Sequence, residues 1–522
     1  MNHRIRLYVG VCSVILLANG ISMVRADGPI NIGSRKQLFI DNKFIAKSRG
    51  IELTMNLPAK TNQPVLASYT PWDGEPKAAV GWYSTIIKDD DKIRIWGSGK
   101  AMLPVRMEPN GPVVYLFSYA ESTDGIHFTK PDPNLVAYDK SKAEIGKHGR
   151  LGGVSVWIDP KAPPSQRYKN QAKYYPAKGW PAEFHFYCSP DGYRWTFMAK
   201  VEIGDMDTQS IAFWDNAQQR YLLYTRKNPD GGTPKRRRLV RRLESKDLLN
   251  WENEIVVMDA DEIDNSTYDT PIPKPPVDYY GATVFKYPEN CPESAYVMIA
   301  HAFWHWQRRP KEMRAGGYDQ HKFRIEVLAP ATLDDRLSVS RDGIHFTRLG
   351  DRKSFLPLGF SGTFSSKFVW SLPNPIRMGN ELWIYYCGSN RDHDGFVDPA
   401  ASEHMAAIDR AILRLDGFVS ADADYTSGEI VTPLLTFAGS RLELNVNPGA
   451  GGSIQVELLD ENDKPIKGYT LNDAAALYDN SVSLPVTWGK NNSVASLAGK
   501  PIKIRFVMRD CKLYAFQFTK IP

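Results

Sequence analysis

A short motif recurs along the chain and limits the folds that it can adopt. The stretch STDGIHF at residues 122–128 returns as SRDGIHF at 340–346 and as SPDGYRW at 189–195. Two weaker copies, SKDLLNW at 245–251 and RLDGFVS at 414–420, extend the series. Asp-Gly between two alternating apolar runs is typical of a tight hairpin, because Gly adopts a positive φ and the Asp side chain accepts hydrogen bonds from turn amides. Five related endings predict five small antiparallel sheets.

The chain between these endings has strand periodicity and almost no helical period. Two alternating apolar runs precede each hairpin, which gives units of four strands and predicts an all-β, five-bladed β-propeller over residues 80–420. We weighed a string of β-sandwiches as the alternative. Residues 27–79 form an N-terminal segment, in which QLFIDNKFI at 37–45 is expected to supply a strand that closes the ring. Residues 421–522 are polar and alternating, and they predict a C-terminal β-sandwich.

The first 26 residues have the order of a secretory signal peptide. Basic residues at the start are followed by an apolar run and then by Val24-Arg25-Ala26, so cleavage is expected after Ala26. The alternative, a membrane anchor, fits less well because the run contains polar residues and barely reaches the ~20 apolar residues that a span needs. We therefore expect an exported protein without a transmembrane anchor after signal removal.

Composition argues against several classes of function. The formal charge is +6, and removal of three arginines with the signal leaves about +3, which is too weak a bias to indicate nucleic acid. The mature chain keeps Cys188, Cys291, Cys387 and Cys511, which could form two disulfides in an exported protein but are too widely spaced for a dense framework, so free, buried thiols are the expectation. Their spacing does not suggest a metal site, and no cofactor is expected. An axial calcium ion is compatible with the predicted fold, but no spacing indicates one, and the sequence gives no sign of oligomeric state.

Strand direction separates structural acids from candidates for chemistry. In a propeller, the loops that enter each first strand share one face with the loops that join second and third strands. Asp159, Asp215 and the hairpin aspartates lie elsewhere and are interpreted as turn residues. The catalytic candidates on the favoured face are Asp207, which is the strongest, Asp73, Glu75 and Asp278. The substrate-binding candidates are His148, Arg150, Arg226, His301, Trp304, Arg391 and His393.

That mixture of carboxylates, cations and aromatic rings suits carbohydrate. Glycoside hydrolysis needs one protonated and one ionised carboxyl group. Two further stretches of the sequence can each be interpreted in two ways. PKRRRLVRR at 234–242 is either a solvated strand edge or a surface that binds an anionic glycan, and HAFWHW at 301–306 is either a sugar-stacking platform or a core strand.

The motifs QLFIDNKFI, DTQSIAFWD, SRDGIHF, LWIYYCGSN, LRLDGFVS and RDCKLYAFQF resemble those of a group of exported, planctomycete-type proteins. That group is similar to the five-bladed propellers of glycoside hydrolase families 32 and 43. The resemblance implies carboxyl groups at the inner ends of the first three blades. Asp73 or Glu75 matches in the first blade and Asp207 in the third, but the second blade offers only His148 and Arg150. The WMNDPNG and RDP signatures of family 32 are absent.

Three functions follow in order of support. The first is a glycoside hydrolase that acts on poly- or oligosaccharide, which could be anionic. In this version, Asp207 and one of Asp73 or Glu75 form the catalytic pair, in which one is the acid and the other is the base or nucleophile. Asp278 tunes or stabilises that pair. The second is a glycan-binding propeller without catalysis. The third is a propeller that only mediates protein contacts.

Overall fold

The computed structural model describes residues 28–67, 83–99, 116–129, 150–175, 182–204, 206–229, 238–266, 277–288, 291, 294–305, 331–391 and 406–520. These residues form 31 strands and one short α-helix, α1 (Glu262–Ser266), so the fold is nearly all β as predicted. In these ranges, no helix has both the length and the apolar character needed to cross a bilayer.

The N-terminal segment contributes six short strands. They are β1 (Ile30–Gly33), β2 (Gln37–Leu38), β3 (Lys47–Arg49), β4 (Ile51–Met55), β5 (Ala59–Lys60) and β6 (Leu66–Ala67).

Nineteen further strands form five successive antiparallel units, which we call sheets 1 to 5. Sheet 1 contains β7 (Tyr83–Asp89), β8 (Lys92–Gly99) and β9 (Leu116–Ser122). Sheet 2 contains β10 (Arg150–Ile158), β11 (Tyr168–Tyr175), β12 (Glu183–Ser189) and β13 (Thr196–Val201). Sheet 3 contains β14 (Ile211–Asp215), β15 (Arg220–Lys227), β16 (Leu239–Ser245) and β17 (Glu252–Met258). Sheet 4 contains β18 (Val277–Tyr287), β19 (Ala295–His305), β20 (Ala331–Ser340) and β21 (Thr347–Arg348). Sheet 5 contains β22 (Phe368–Ser371), β23 (Ile376–Met378), β24 (Glu381–Ser389) and β25 (Ala406–Arg414), and it is joined to sheet 4 by one parallel pairing of β22 with β20, between Phe368 and Leu333.

The outer edge of sheet 5 is completed by the N-terminal segment. Strands β5 and β6 pair antiparallel with β25. The expectation for residues 37–45 was wrong in detail, since β2 pairs with the C-terminal strand β31 (Lys503–Thr519). The sequence pattern identified a strand there but could not identify its partner, because strand pairing is decided by contacts far apart in the chain.

The first four predicted hairpins have the expected local structure. The prediction was wrong for the fifth copy, at 414–420, because the strand that follows it, Val419–Ala423, pairs with β4 and β31 rather than with β25. In the first copy, Ser122 Oγ accepts the Gly125 N–H at 2.9 Å, and Asp124 Oδ1 accepts the N–H groups of Ile126 and His127 at 2.8 Å each. Gly125 has φ +75°. The repeated aspartate is therefore a turn residue, as predicted.

Four of the five motif turns also accept a hydrogen bond from an aromatic hydroxyl or indole group of another sheet. The donor and acceptor residues are Trp96 and Gly192, Tyr224 and Gly343, Tyr385 and Gly125, and Tyr287 and Asp416. Sheet 1 thus contacts sheet 2, sheet 3 contacts sheet 4, sheet 4 contacts sheet 5, and sheet 5 contacts sheet 1. Apolar cores between the faces of successive sheets follow the same order.

The last part of the chain builds a separate core. It contains β26 (Val419–Ala423), β27 (Gly428–Val431), β28 (Leu435–Phe437), β29 (Arg441–Leu459), β30 (Ser481–Pro485) and β31. The long strands β29 and β31 pair antiparallel, and β3, β4, β26 and β27 extend the same sheet. Phe39 and Phe44 of the N-terminal segment are buried in its core, which joins the two ends of the chain. Cys188, Cys387 and Cys511 are buried and Cys291 is half-buried, and none of these four forms a disulfide bond with another described residue.

Candidate functional site

Asp207 is a half-exposed carboxylate held between two cations. It lies in the connection from β13 to β14, and 45% of its side chain is exposed. Lys173 Nζ lies 3.0 Å from its Oδ1, and Arg226 Nη2 donates to its Oδ2. Burial alone would raise the pKa of Asp207, but the charges of Arg226, Lys173 and Arg238 outweigh burial and lower it. The carboxylate is therefore ionised at neutral pH and remains open to solvent.

The two cations come from equivalent places in neighbouring sheets. Lys173 lies near the end of β11 and Arg226 near the end of β15, and each of these is the second strand of its sheet. Arg226 was predicted to lie here, whereas Lys173 was missed because its segment was interpreted only as a strand. Aligning the ends of the second strands could have found it.

Arg226 is a buried support for Asp207. Its side chain is only 2% exposed, and its guanidinium carbon lies 4.8 Å from the centre of the Tyr280 ring. A fully buried arginine is stable only with compensating contacts, which the Asp207 carboxylate and the ring provide. The role of Arg226 is therefore to hold Asp207 rather than to contact solutes directly.

Asp278 lies two residues before Tyr280 in β18 and is buried. Its side chain is 1% exposed, and Arg238 Nη1 lies 3.3 Å from both of its carboxylate oxygens. The Arg238 guanidinium also lies 4.8 Å from the centre of the Tyr280 ring and 4.5 Å from that of Phe303. Two acid and arginine pairs are thus linked through one tyrosine ring.

The described part of the basic run, residues 238–242, is neither a solvated strand edge nor an open cationic surface. Strand β16 is paired on both sides, by β15 and β17. Arg241 and Arg242 are buried; Arg241 donates to Glu254 and to the Ile203 carbonyl, and Arg242 donates to Gln218. The solvated-edge interpretation was wrong because charge alone does not distinguish an edge strand from a central strand with buried ion pairs.

Aromatic rings form a continuous wall beside these charges. The Tyr280 ring stacks on Phe303 at 5.5 Å and meets Trp370 edge-on at 5.7 Å, and Tyr83 meets Trp370 edge-on at 5.4 Å. Gly281 permits this approach, since a Cβ there would lie 3.2 Å from Trp370. Burial and the neighbouring Tyr280 raise the pKa of Tyr83 well above its ordinary value, so its hydroxyl remains protonated.

His301 supports this wall from inside. Its ring stacks on Trp370 at 3.7 Å, and its Nδ1 lies 2.6 Å from Asp335 Oδ1. Asp335 Oδ2 accepts the Ser371 N–H at 2.8 Å. His301 is completely buried, so the expectation of direct substrate contact was wrong, and the described part of HAFWHW behaves mainly as a core strand.

The other predicted residues have separate positions. Trp304 is half-buried and donates to Asp334 at 3.0 Å, and Arg391 is half-buried just beyond β24. Asp73, Glu75, His148 and His393 lie outside the described residues, as does the side chain of Arg150, whose backbone begins β10. Asp159 and Asp215 are buried turn residues, as predicted; for example, Asp215 Oδ1 accepts the Ala217 N–H at 2.8 Å.

A surface cavity among the described residues lies elsewhere. Its volume is about 590 Å³, and it is on the C-terminal sheet beside Asp422, Asp424 and Asp510. Asp422 is paired with Lys512, and Asp424 Oδ1 accepts the Thr426 N–H at 2.8 Å. These acids already serve ion pairs and turns, so the Asp207 region is the better candidate. The described ranges contain no group of three or more His, Cys, Asp or Glu side chains arranged to hold a metal ion.

No family model matches this chain, and no curated protein matches it significantly. Solved structures of carbohydrate-active proteins are similar to it at low identity. An N-acetylgalactosamine deacetylase from F. plautii, in complex with blood group B trisaccharide, is 13% identical over 70% of this chain and 96% of that chain, with a TM-score of 0.42. A β-1,2-mannobiose phosphorylase from Listeria innocua is 11% identical over 69% and 97%, with a TM-score of 0.43. A glycosyl hydrolase from Bacteroides ovatus is 11% identical over 69% and 94%, with a TM-score of 0.40. At these values no activity or residue role transfers to this chain.

Proposed function

We propose that the protein is an exported glycosidase that acts on poly- or oligosaccharide, with Asp207 as an essential ionised carboxylate. The observation that carries this proposal is the open Asp207 carboxylate, which Lys173 and Arg226 keep ionised beside a wall of aromatic rings. The ionised carboxylate can accept hydrogen bonds from sugar hydroxyl groups, while the buried rings of Tyr280, Phe303 and Trp370 support the site from within the protein rather than contact the sugar.

The proposed architecture is a five-bladed propeller, with sheets 1 to 5 as blades over residues 80–420. The inter-sheet hydrogen bonds and cores support it, because they link each sheet to the next and link sheet 5 back to sheet 1. The proposal includes a signal peptide at 1–26, an N-terminal segment at 27–79 that completes the fifth blade, and a β-sandwich at 421–522. In this arrangement Asp207 and Asp278 lie in the loops or strand ends at one mouth of the ring.

The charges around Asp207 indicate its chemical role. A carboxylate with a lowered pKa is a poor proton donor at neutral pH, so Asp207 serves as base or nucleophile rather than as general acid. Asp73 or Glu75 is proposed as the acid. Asp278, which is buried against Arg238, is proposed to stabilise the site without contacting the reacting atoms.

One observation favours a second function, glycan binding without cleavage. Asp278 is 1% exposed, so Asp207 is the solvent-accessible member of the described pair of carboxylates. Hydrolysis needs a second carboxyl group beside the glycosidic bond.

A screen of plant, algal and bacterial polysaccharides, with product analysis by chromatography, tests the two functions. New reducing ends from at least one glycan support hydrolysis. Binding without new reducing ends supports the second function, and neither binding nor cleavage contradicts both.

A further inference from the structure

Arg238 differs from Arg226 because, among the described residues, the unused part of its hydrogen-bonding edge belongs to a partly exposed side chain, whereas the unpartnered Nε and Nη1 of Arg226 are buried. Its Nη1 lies 3.3 Å from each Asp278 oxygen, whereas charge-assisted N–H···O bonds are usually about 2.7–2.9 Å long. Its Nε and Nη2 make no hydrogen bond with any residue that the structure describes. The side chain is 23% exposed, so solvent reaches it.

The guanidinium is nevertheless fixed in position. It lies within 4.8 Å of the Tyr280 ring centre and 4.5 Å of the Phe303 ring centre. Stacking on two rings restricts its rotation, so a ligand that binds to it pays little additional conformational entropy. Arg226, which pairs with Asp207, also lies 4.8 Å from the centre of the Tyr280 ring, so Arg238 and the Asp207 pair are close to the same ring.

The charges around this space favour an anion. Among the described residues, the cations Lys173, Arg226 and Arg238 surround Asp207, while Asp207 and Asp278 are the acids that they contact. Arg226 is 2% exposed and engaged by Asp207, which leaves Arg238 as the better exposed guanidinium.

We propose that Arg238 determines specificity for an acidic glycan by binding a carboxylate or sulfate group of a sugar residue next to Asp207. The planar Nε and Nη2 edge of a guanidinium can donate two parallel hydrogen bonds to such a group. This inference rests on the proposed carbohydrate function and adds the substrate class to it. Two sources of the anion, a uronic acid and a sulfate ester, share this chemistry.

Calorimetric titration of the mature chain with matched oligosaccharides tests the proposal. One pair is a uronic-acid oligomer and its carboxyl-reduced form, and the other is a sulfated oligomer and its desulfated form. The wild type is expected to bind the acidic member of at least one pair roughly 10- to 100-fold more tightly, the range for hydrogen bonds between charged groups. The pair with the larger ratio identifies the source of the anion.

Three variants make the result specific to Arg238. Arg238→Gln is expected to bring the ratio of affinities for the acidic and neutral oligosaccharides close to one. Arg238→Lys is expected to give an intermediate ratio, because it keeps the positive charge but loses the two parallel N–H donors of the guanidinium. Arg194→Gln, which removes an arginine with 77% exposure on the sheet 2 hairpin, is the control and should keep the wild-type ratio. Thermal unfolding of each variant checks folding, and Arg238→Lys keeps the test valid if Arg238→Gln does not fold.

The outcomes separate this inference from the proposed function. Equal affinity of the wild type for acidic and neutral members of both pairs would support a glycan site and overturn the acidic preference. A preference that survives Arg238→Gln and Arg238→Lys would overturn the role of Arg238. Failure to bind either pair, together with no product in the polysaccharide screen, would overturn the proposed function itself.

Discussion

The hydroxyl of Tyr385 donates a 2.8 Å hydrogen bond to the carbonyl of Gly125, 260 positions earlier in the chain. This contact joins the fifth sheet to the first hairpin. It explains why the hairpin motif needs glycine for two reasons, since Gly125 has φ +75° and a Cβ there would lie 2.5 Å from the Tyr385 hydroxyl oxygen.

Gly125→Ala should destabilise the protein by more than backbone strain alone would, because the added Cβ would also clash with Tyr385. We expect a loss of about 2–5 kcal/mol in the free energy of unfolding, the sum of ~1–2 kcal/mol for the left-handed backbone and ~1–3 kcal/mol for overpacking. Gly379→Ala is the matched control, because Gly379 has φ +61° but no atom within 4 Å of the added Cβ. Urea unfolding that gave the same loss for both variants would contradict a role for close approach between sheets 5 and 1.

The hairpins and the turn aspartates could be predicted from sequence because their signals are local. Ser122, Asp124 and Gly125 form their turn through contacts within five residues. The position of Asp207 on a connection before a first strand followed from strand order in the same way.

The contacts around Asp207 depend on side-chain burial and on distant parts of the chain, and these could not be predicted. Lys173 belongs to sheet 2 and Arg238 precedes β16 in sheet 3, yet both act on Asp207. The burial of His301 against Trp370 likewise depends on how sheet 5 packs on sheet 4. Alternation of apolar residues identifies strands but does not say which face of a sheet meets its neighbour.

Glu121 should contribute stability that depends on pH. Burial raises its pKa, but hydrogen bonds from Tyr119 at 2.6 Å, Lys92 at 2.9 Å and Tyr193 at 2.7 Å outweigh burial and lower it from 4.5 to about 2. Because the folded-state pKa is depressed, the contribution is present above pH 4.5 and is lost as the pH falls from about 4.5 to about 2.

The comparison of wild type with Glu121→Gln measures this contribution. The difference in unfolding free energy should be on the order of 1–2 kcal/mol at pH 7 and should shrink through that window. Glu202→Gln removes an exposed carboxylate and serves as the control. A difference for Glu121→Gln that stays constant from pH 7 to pH 2 would show that its ion pair does not act as described.

Lys173→Met should change the pH dependence of turnover. Removal of this cation raises the pKa of Asp207, so the acidic limb of the profile should move to higher pH by roughly one unit. Lys200→Met, which removes a lysine paired with Glu183, is the control and should leave the limb in place. An unchanged limb in Lys173→Met would mean that ionisation of Asp207 does not limit the reaction.

The most direct test of the central claim is the rate at which Asp207→Asn releases new reducing ends from a glycan that the wild type cleaves. Asp191→Asn is the matched control, because Asp191 caps the sheet 2 hairpin, where its Oδ1 accepts the Tyr193 N–H at 2.8 Å. The account predicts a loss of about 100-fold or more for Asp207→Asn, the size expected for an acid or base group, and near wild-type turnover for Asp191→Asn. Wild-type turnover by a folded Asp207→Asn protein would contradict it.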